Sequence, residues 1–259
     1  MKPWTLAIVV SLLFAGAARA DMSWDLRTET TVSVGAETRE LPVTTESFAL
    51  KKNVLRMDSG PEQPTRFINT SNDAVLFVSY QTETFLLTDF NDLAGVQSNE
   101  RAALRAKLPL MELGLAQLPP EQRPEQQALL QGQRRKFEIW DRPYTVRATT
   151  ERAVVLDHPC VKYEGLAGEE VFQEIWVAED IAVDPYYQAQ AVGKLSSLDA
   201  QQYQVLTRVR GLPLKVVSHY GPVTVTATVT RYTAADIPAD AFILPDDFRE
   251  TEAASKVNP

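Results

Sequence analysis

Apolar and polar residues alternate with a period of two over most of this chain, and in two stretches the period changes to that of a helix. From Ser23 to Val34, Trp24, Leu26, Val32 and Val34 share one parity while Asp25, Arg27 and Glu29 take the other. This is the pattern of a half-buried strand. Further strand runs follow at Ser47 to Met57, Thr65 to Asn69, Ala74 to Tyr80 and Glu83 to Phe90, separated by Ser59-Gly60-Pro61 and Thr70-Ser71-Asn72-Asp73. Both separators are rich in turn formers, so the spacing predicts an antiparallel meander.

Between 91 and 140 the pattern is helical. Leu104, Leu108, Met111, Leu115 and Leu118 recur at steps of four and three, which places them on one helix face. Pro109 disfavours helical geometry at Leu108, so a kink or restart is expected there. Pro119-Pro120 ends that element, and the Gln-rich stretch Glu121 to Lys136 reads as a second, more exposed helix. Strand signals resume at Tyr144 to Thr150, Ala153 to Leu156, Val161 to Leu166 and Val171 to Ala178. Pro185 to Thr207 carries Ala191, Val192, Leu195 and Leu198 at helical spacing. Leu212 to Tyr220 then turns through Gly221-Pro222 into Val223 to Tyr232. There Val223, Val225, Ala227 and Val229 alternate with Thr224, Thr226, Thr228 and Thr230, apolar side inward. This order predicts an α+β fold, one antiparallel sheet with helices gathered on one face. Residues 21–248 are expected to form a single domain with a helical insertion at about 91–140, and 249–259 reads as a flexible tail.

The first twenty residues do not belong to that pattern. Lys2, the apolar run Trp4 to Ala15 and the small residues of Ala18-Arg19-Ala20 have the layout of a cleaved export signal, so a mature chain starting at Asp21 in the periplasm is expected. No stretch approaches the length of a transmembrane helix. Removing Lys2 and Arg19 leaves 24 basic residues against 34 acidic, a net charge near -10. That surface repels phosphate backbones, which argues against nucleic acid as a partner. Cys160 is the single cysteine, so stability rests on packing rather than an internal disulfide.

Chemistry-bearing groupings are sparse. His158 and Cys160 lie two apart with His219 elsewhere, too few for a four-ligand zinc site unless carboxylates complete it, and no cofactor is expected. The alternative is a buried thiol beside a turn histidine. No nucleophile elbow, phosphate-binding Gly-rich loop or His-Glu-x-x-His motif is present. The carboxylate pairs Asp89/Asp92 and Asp246/Asp247 fall near element ends, where such pairs cap helices or face water, and Glu169-Glu170 fits an exposed hairpin turn. Nothing identifies an enzyme.

Five stretches resemble a family of exported bacterial proteins of unknown function with a LolA-like fold. They are Leu118 to Arg123, His158 to Tyr163, Glu174 to Ile181, Gly211 to Lys215 and Ile237 to Pro245. The resemblance implies a strongly curved half-barrel whose concave face is closed by helices around an apolar cavity. The lining expected on that basis is Trp24, Leu26, Phe77, Phe85, Trp176, Val225 and Val229, with Leu104, Leu108, Met111 and Leu115 as a lid, although ordinary core packing explains the same residues. The expected role is non-enzymatic binding or carriage of an apolar, acyl-bearing ligand. The alternative is a stress-sensing or regulatory module that binds a periplasmic protein partner, and an unrecognised hydrolase ranks last.

Overall fold

The structure, a computed structural model, describes residues 21–69, 71–72, 74–183 and 209–251. The expected export signal, the helix expected over 185–207 and residues 252–259 of the tail lie outside the described residues.

Among the described residues thirteen strands form one open, curved sheet, and Met22–Val34 (β1) is its central strand. On one edge β1 pairs along its length with Val223–Ala234 (β12); on the other, Met22 to Thr28 pair with Thr44–Lys51 (β3) and Thr31 to Val34 with the short Glu37–Glu40 (β2). Outward from β3 run Val54–Asp58 (β4), Thr65–Asn69 (β5), Ala74–Ser79 (β6) and Thr84–Asp89 (β7). Outward from β12 run Leu212–Tyr220 (β11), Glu170–Ala178 (β10), His158–Ala167 (β9) and Tyr144–Val155 (β8). Among the described residues the two meanders are therefore joined in the sheet by the β1–β12 pairing. Bulges in the β1–β12, β8–β9, β9–β10 and β10–β11 pairs supply local bends, because an extra residue on one strand increases twist.

The sheet is mixed rather than purely antiparallel, since Arg249–Glu250 (β13) adds in parallel to β7. The sequence placed these two residues in a flexible tail. They are ordered by what precedes them: the segment from Ile237 to Phe248 crosses the outer face of the first meander. Arg56 Nη1 donates to the Ala241 carbonyl at 2.8 Å, Phe242 meets Phe67 edge-on at 6.4 Å, and Phe248 meets Tyr80 at 5.5 Å. At the start of β1 the buried Asp21 carboxylate pairs with Lys51 and accepts the Ile237 N–H at 3.1 Å. Those two contacts hold its pKa below the usual carboxylate range, the Lys51 contact most.

Between the meanders the chain forms two helices, Phe90–Leu115 (α1) and Arg123–Trp140 (α2). α1 begins earlier than its leucine stripe suggests because the Asp89 carboxylate caps it, accepting the Asp92 N–H at 2.8 Å. It also runs through Pro109 without ending there, so that of the expected kink or restart the restart does not occur. The larger reversal concerns α2. The Gln-rich helix expected to be exposed is the one against the sheet, with Ala128, Gly132 and Ile139 buried. Gly132 marks the closest approach: a Cβ there would lie 2.4 Å from Val223 Cγ2 and 3.3 Å from the Tyr220 carbonyl oxygen. Small residues at 128 and 132 let the helix axis sink toward β1, β11 and β12, and α1 stacks on the outside of α2.

Two smaller corrections concern strand ends. Ser47 to Met57 is two strands, divided at Lys52, which adopts a left-handed φ of 54°. Tyr144 to Val155 is one strand carrying a bulge between Ala148 and Arg152.

Gly132→Ala tests the close approach. Helix propensity alone favours alanine by about 1 kcal/mol, whereas overpacking costs about 1–3 kcal/mol. With the contact at 2.4 Å the second effect wins, so the urea midpoint of the variant should fall; an unchanged or higher midpoint would show that α2 stands off the sheet.

Candidate functional site

Strand alternation divides the sheet into an inner face, against α2, and an outer face. On the inner face of the first meander the register aligns Trp24, Phe48, Met57, Arg66, Phe77 and Leu86 in one row across six strands. The adjacent row is Met22, Leu50, Leu55, Ile68 and Val75, all buried. Trp24 stacks on Phe48 with ring planes 3° apart and centroids at 5.1 Å. Burial of each such side chain contributes about 1.5–3 kcal/mol, so these rows with Val229, Ile181 and Val183 form the main core.

Arg66 is a charge set into an apolar row, and Glu46 is a second, directly opposite Leu26. Both face one cavity of about 650 Å³ at the end of the inner face, lined also by Thr44, the Ser59–Pro64 turn and Phe77. The turn holds its shape through the Gln63 N–H donating to the Gly60 carbonyl at 3.2 Å and Gln81 Nε2 donating to the Pro61 carbonyl at 2.9 Å. Gly60 sits at φ 107°, a conformation that favours glycine. Within the cavity Ser59 Oγ donates to Glu46 Oε1 at 2.8 Å. Arg66 Nη2 lies 3.5 Å from Ser59 Oγ and 3.9 Å from Glu46 Oε1. The side chains are 19% and 6% exposed, so the pair is withdrawn from water without closing into a hydrogen-bonded bridge. Burial lowers the Arg66 pKa, and the Glu46 carboxylate opposes that shift. Ion pairs of this kind are weak sources of stability.

Of the residues expected to line a cavity, Trp24, Leu26 and Val229 are buried in the main core and Phe77 packs against it while lining the cavity. The Trp24 indole N–H is buried with no acceptor among the described residues. Val225 is half-buried under α2 with Val32, Ala128 and Val223. Phe85 pairs with Val78, which puts it on the face opposite Phe77. Trp176 shares a register row with Lys162, Lys215, Thr228 and Arg27, packs half-buried against the main core, and has the Lys162 ammonium 5.8 Å from its ring centroid. On α1, Leu108 and Leu115 pack against Leu130, Phe137 and Trp140, while Leu104 and Met111 are exposed. The leucine stripe thus meets α2 rather than the sheet.

Glu46, Ser59 and Arg66 went unnoticed in the sequence. A period-two signal was available, because Glu46 shares parity with Phe48 and Leu50, and Arg66 with Ile68. The histidine and cysteine candidates stay apart: His158 Nδ1 contacts Asp180 Oδ2 at 2.8 Å, His219 Nδ1 contacts Thr224 Oγ1 at 3.3 Å, and the Cys160 Sγ donates to the His158 carbonyl at 3.5 Å. Burial pushes the Cys160 thiol pKa up. Among the described residues no three His, Cys, Asp or Glu side chains are placed to hold a metal ion. Glu170 is exposed beside the hairpin turn, as expected, and there joins Arg135 of α2 and Arg142, the latter at 2.9 Å.

No family model and no curated protein matches the chain. Among solved structures it is similar to an uncharacterized conserved protein from Thermus thermophilus, at 9% identity and TM-score 0.43, covering 90% of this chain and 91% of that one. PNGF-II aligns at 12% identity and TM-score 0.41 over 90% of this chain, which spans about a third of that protein (32%). Mycobacterium tuberculosis lipoprotein LppX aligns at 10% identity and TM-score 0.25 over 84% and 89% of the two chains. Similarity at this level supports no argument about activity or ligand.

The isolated pair in the cavity has a measurable signature. Glu46→Leu strands the Arg66 charge and should lower unfolding free energy by about 2–3 kcal/mol, while the double variant Glu46→Leu/Arg66→Met recovers most of that loss. Additive losses in urea melts would mean the two groups do not interact.

Proposed function

We propose that the processed chain is a non-enzymatic periplasmic carrier or binding protein that holds an apolar, acyl-bearing ligand against the inner face of a LolA-like half-barrel. The observation that carries this reading is the continuity at Phe77, one side chain shared by the apolar inner face and by an open cavity of about 650 Å³. That volume lies within the range of small-molecule sites, about 300–1,000 Å³. The unpaired indole N–H of Trp24 adds an unused donor on the same face. Each methylene buried there contributes about 0.8 kcal/mol, so about ten of them offset a large part of the free energy lost on association. The signal-like segment before Asp21 supports export, and no described helix is long and apolar enough to cross a membrane. Cys160, buried and with its Sγ donating to the His158 carbonyl rather than to a base, supports the non-enzymatic part of the reading.

A second reading, a regulatory module for a periplasmic protein partner, is favoured by Leu110 and Leu113 on α1, which are 68% and 70% exposed.

Native mass spectrometry of protein purified from the periplasm, before and after delipidation and reloading, tests the carrier reading. An acyl-bearing species retained at about one per chain, and regained on reloading, is the expected result. Protein that is empty as isolated and takes up none of the offered lipids would overturn it.

A further inference from the structure

The charges at the cavity specify more than an apolar guest. Arg66 and Glu46 face the same space 3.9 Å apart, so the deep end of the cavity carries both signs and is neutral as a pair. An anionic head brought to Arg66 meets Glu46 at nearly the same distance, and a cationic head brought to Glu46 meets Arg66. Coulomb attraction and repulsion then largely cancel for either ion. Glu62 at the turn adds a second carboxylate to the lining, which further disfavours anions.

Hydrogen bonding is not cancelled in this way. Arg66 Nη2 makes one long hydrogen bond to Ser59 Oγ at 3.5 Å and stands 3.9 Å from Glu46 Oε1, which leaves the five-donor guanidinium with capacity to spare, and the carboxylate can accept from more than the Ser59 hydroxyl. A group that fits between them must accept from Arg66 and donate to Glu46. A hydroxyl does both, and a pair of neighbouring hydroxyls serves both residues at once. Thr44 and Gln63 supply further polar contacts in the lining, and Phe77 supplies a flat apolar wall toward the core. We infer that the cavity takes the uncharged, hydroxyl-rich head of an amphiphile, a sugar or glycerol unit bridging Arg66 and Glu46, while its acyl portion runs past Phe77 along the inner face. This rests on the carrier reading and names the class of ligand at the same site.

The test uses monomeric octyl glucoside, monooctanoylglycerol, octanoate and octyltrimethylammonium, with glucose and glycerol as controls lacking a chain. Binding to the processed protein is measured by isothermal titration calorimetry, with circular dichroism confirming that each variant is folded. A hydroxyl-headed amphiphile should bind about tenfold more tightly than either charged one, and the stronger of the two separates a sugar head from a glycerol head. Glu46→Gln removes the opposing charge and should reverse the order in favour of octanoate. Arg66→Met should weaken the hydroxyl-headed ligand and raise binding of octyltrimethylammonium, and it serves if Glu46→Gln is unfolded. Octanoate equal to or tighter than the hydroxyl-headed ligands in the wild type, or no binding by any amphiphile, overturns the inference. Glucose or glycerol binding as tightly as its octyl counterpart would leave the head chemistry standing and overturn the carrier reading instead.

Discussion

One strand with two obligatory partners organises this molecule. β1 pairs with β12 on one edge and with β3 and β2 on the other, so the first strand of the described chain is also the seam between its two halves. Because β12 ends at Ala234, this seam joins residues 191 to 212 positions apart, and its closure orders a very long intervening chain. The loss is offset by apolar rows that run continuously across the seam. Trp24 and Leu26 on β1 pack with residues of both meanders in one cluster. The salt bridge of Asp21 to Lys51 and the Ile237 N–H then fixes the start of β1 to the C-terminal segment on the outer face.

The position of α2 follows from this arrangement. Ala128 and Gly132 bring it down onto Val32 and Val223 at one end of the inner face, and Ile139 extends the contact toward β10 and β11. Among the described residues α2 packs mainly on β1, β11 and β12, whereas the cavity lies beside β3, β5 and β6 at the Arg66 end of the inner face. A packed interior normally excludes an open Arg–Glu pair, because desolvation exceeds the attraction unless geometry is close and fully hydrogen-bonded. Local departures from packing rules of this kind are where functional sites are found.

The sheet was legible in the sequence because period-two alternation is a local property. The run from Trp24 to Val34 and the Val/Thr alternation from Val223 to Thr230 became β1 and β12. The α+β class and the limits of the helical insertion followed from the same signal. What failed was the ranking of the helices. A leucine stripe at Leu108 and Leu115 says that a helix buries one side, but not what it buries it against, and here the partner is α2. The Gln-rich helix appeared polar because its sheet-facing positions include Ala128 and Gly132, whose contribution is closeness rather than apolar area. Phe85 was expected inward, but its register partner Val78 puts it on the face opposite Phe77; Trp176 shares a row with Lys162 and Lys215 and still packs against the main core. The polar side of the cavity was missed because it depends on strand pairing, which brings Glu46, Ser59 and Arg66 together from three segments.

The proposed carrier role requires a greasy guest to enter the sheet beside Phe77 rather than rest on the surface of α1. Paramagnetic relaxation by a nitroxide-labelled lipid, read from amide signals of isotopically labelled protein, locates such a guest. Strong broadening is expected at Arg66, Phe77 and the Ser59–Pro64 turn, with Leu110 and Leu113 unaffected. Broadening confined to Leu110 and Leu113, with the signals around Phe77 unchanged, would contradict it.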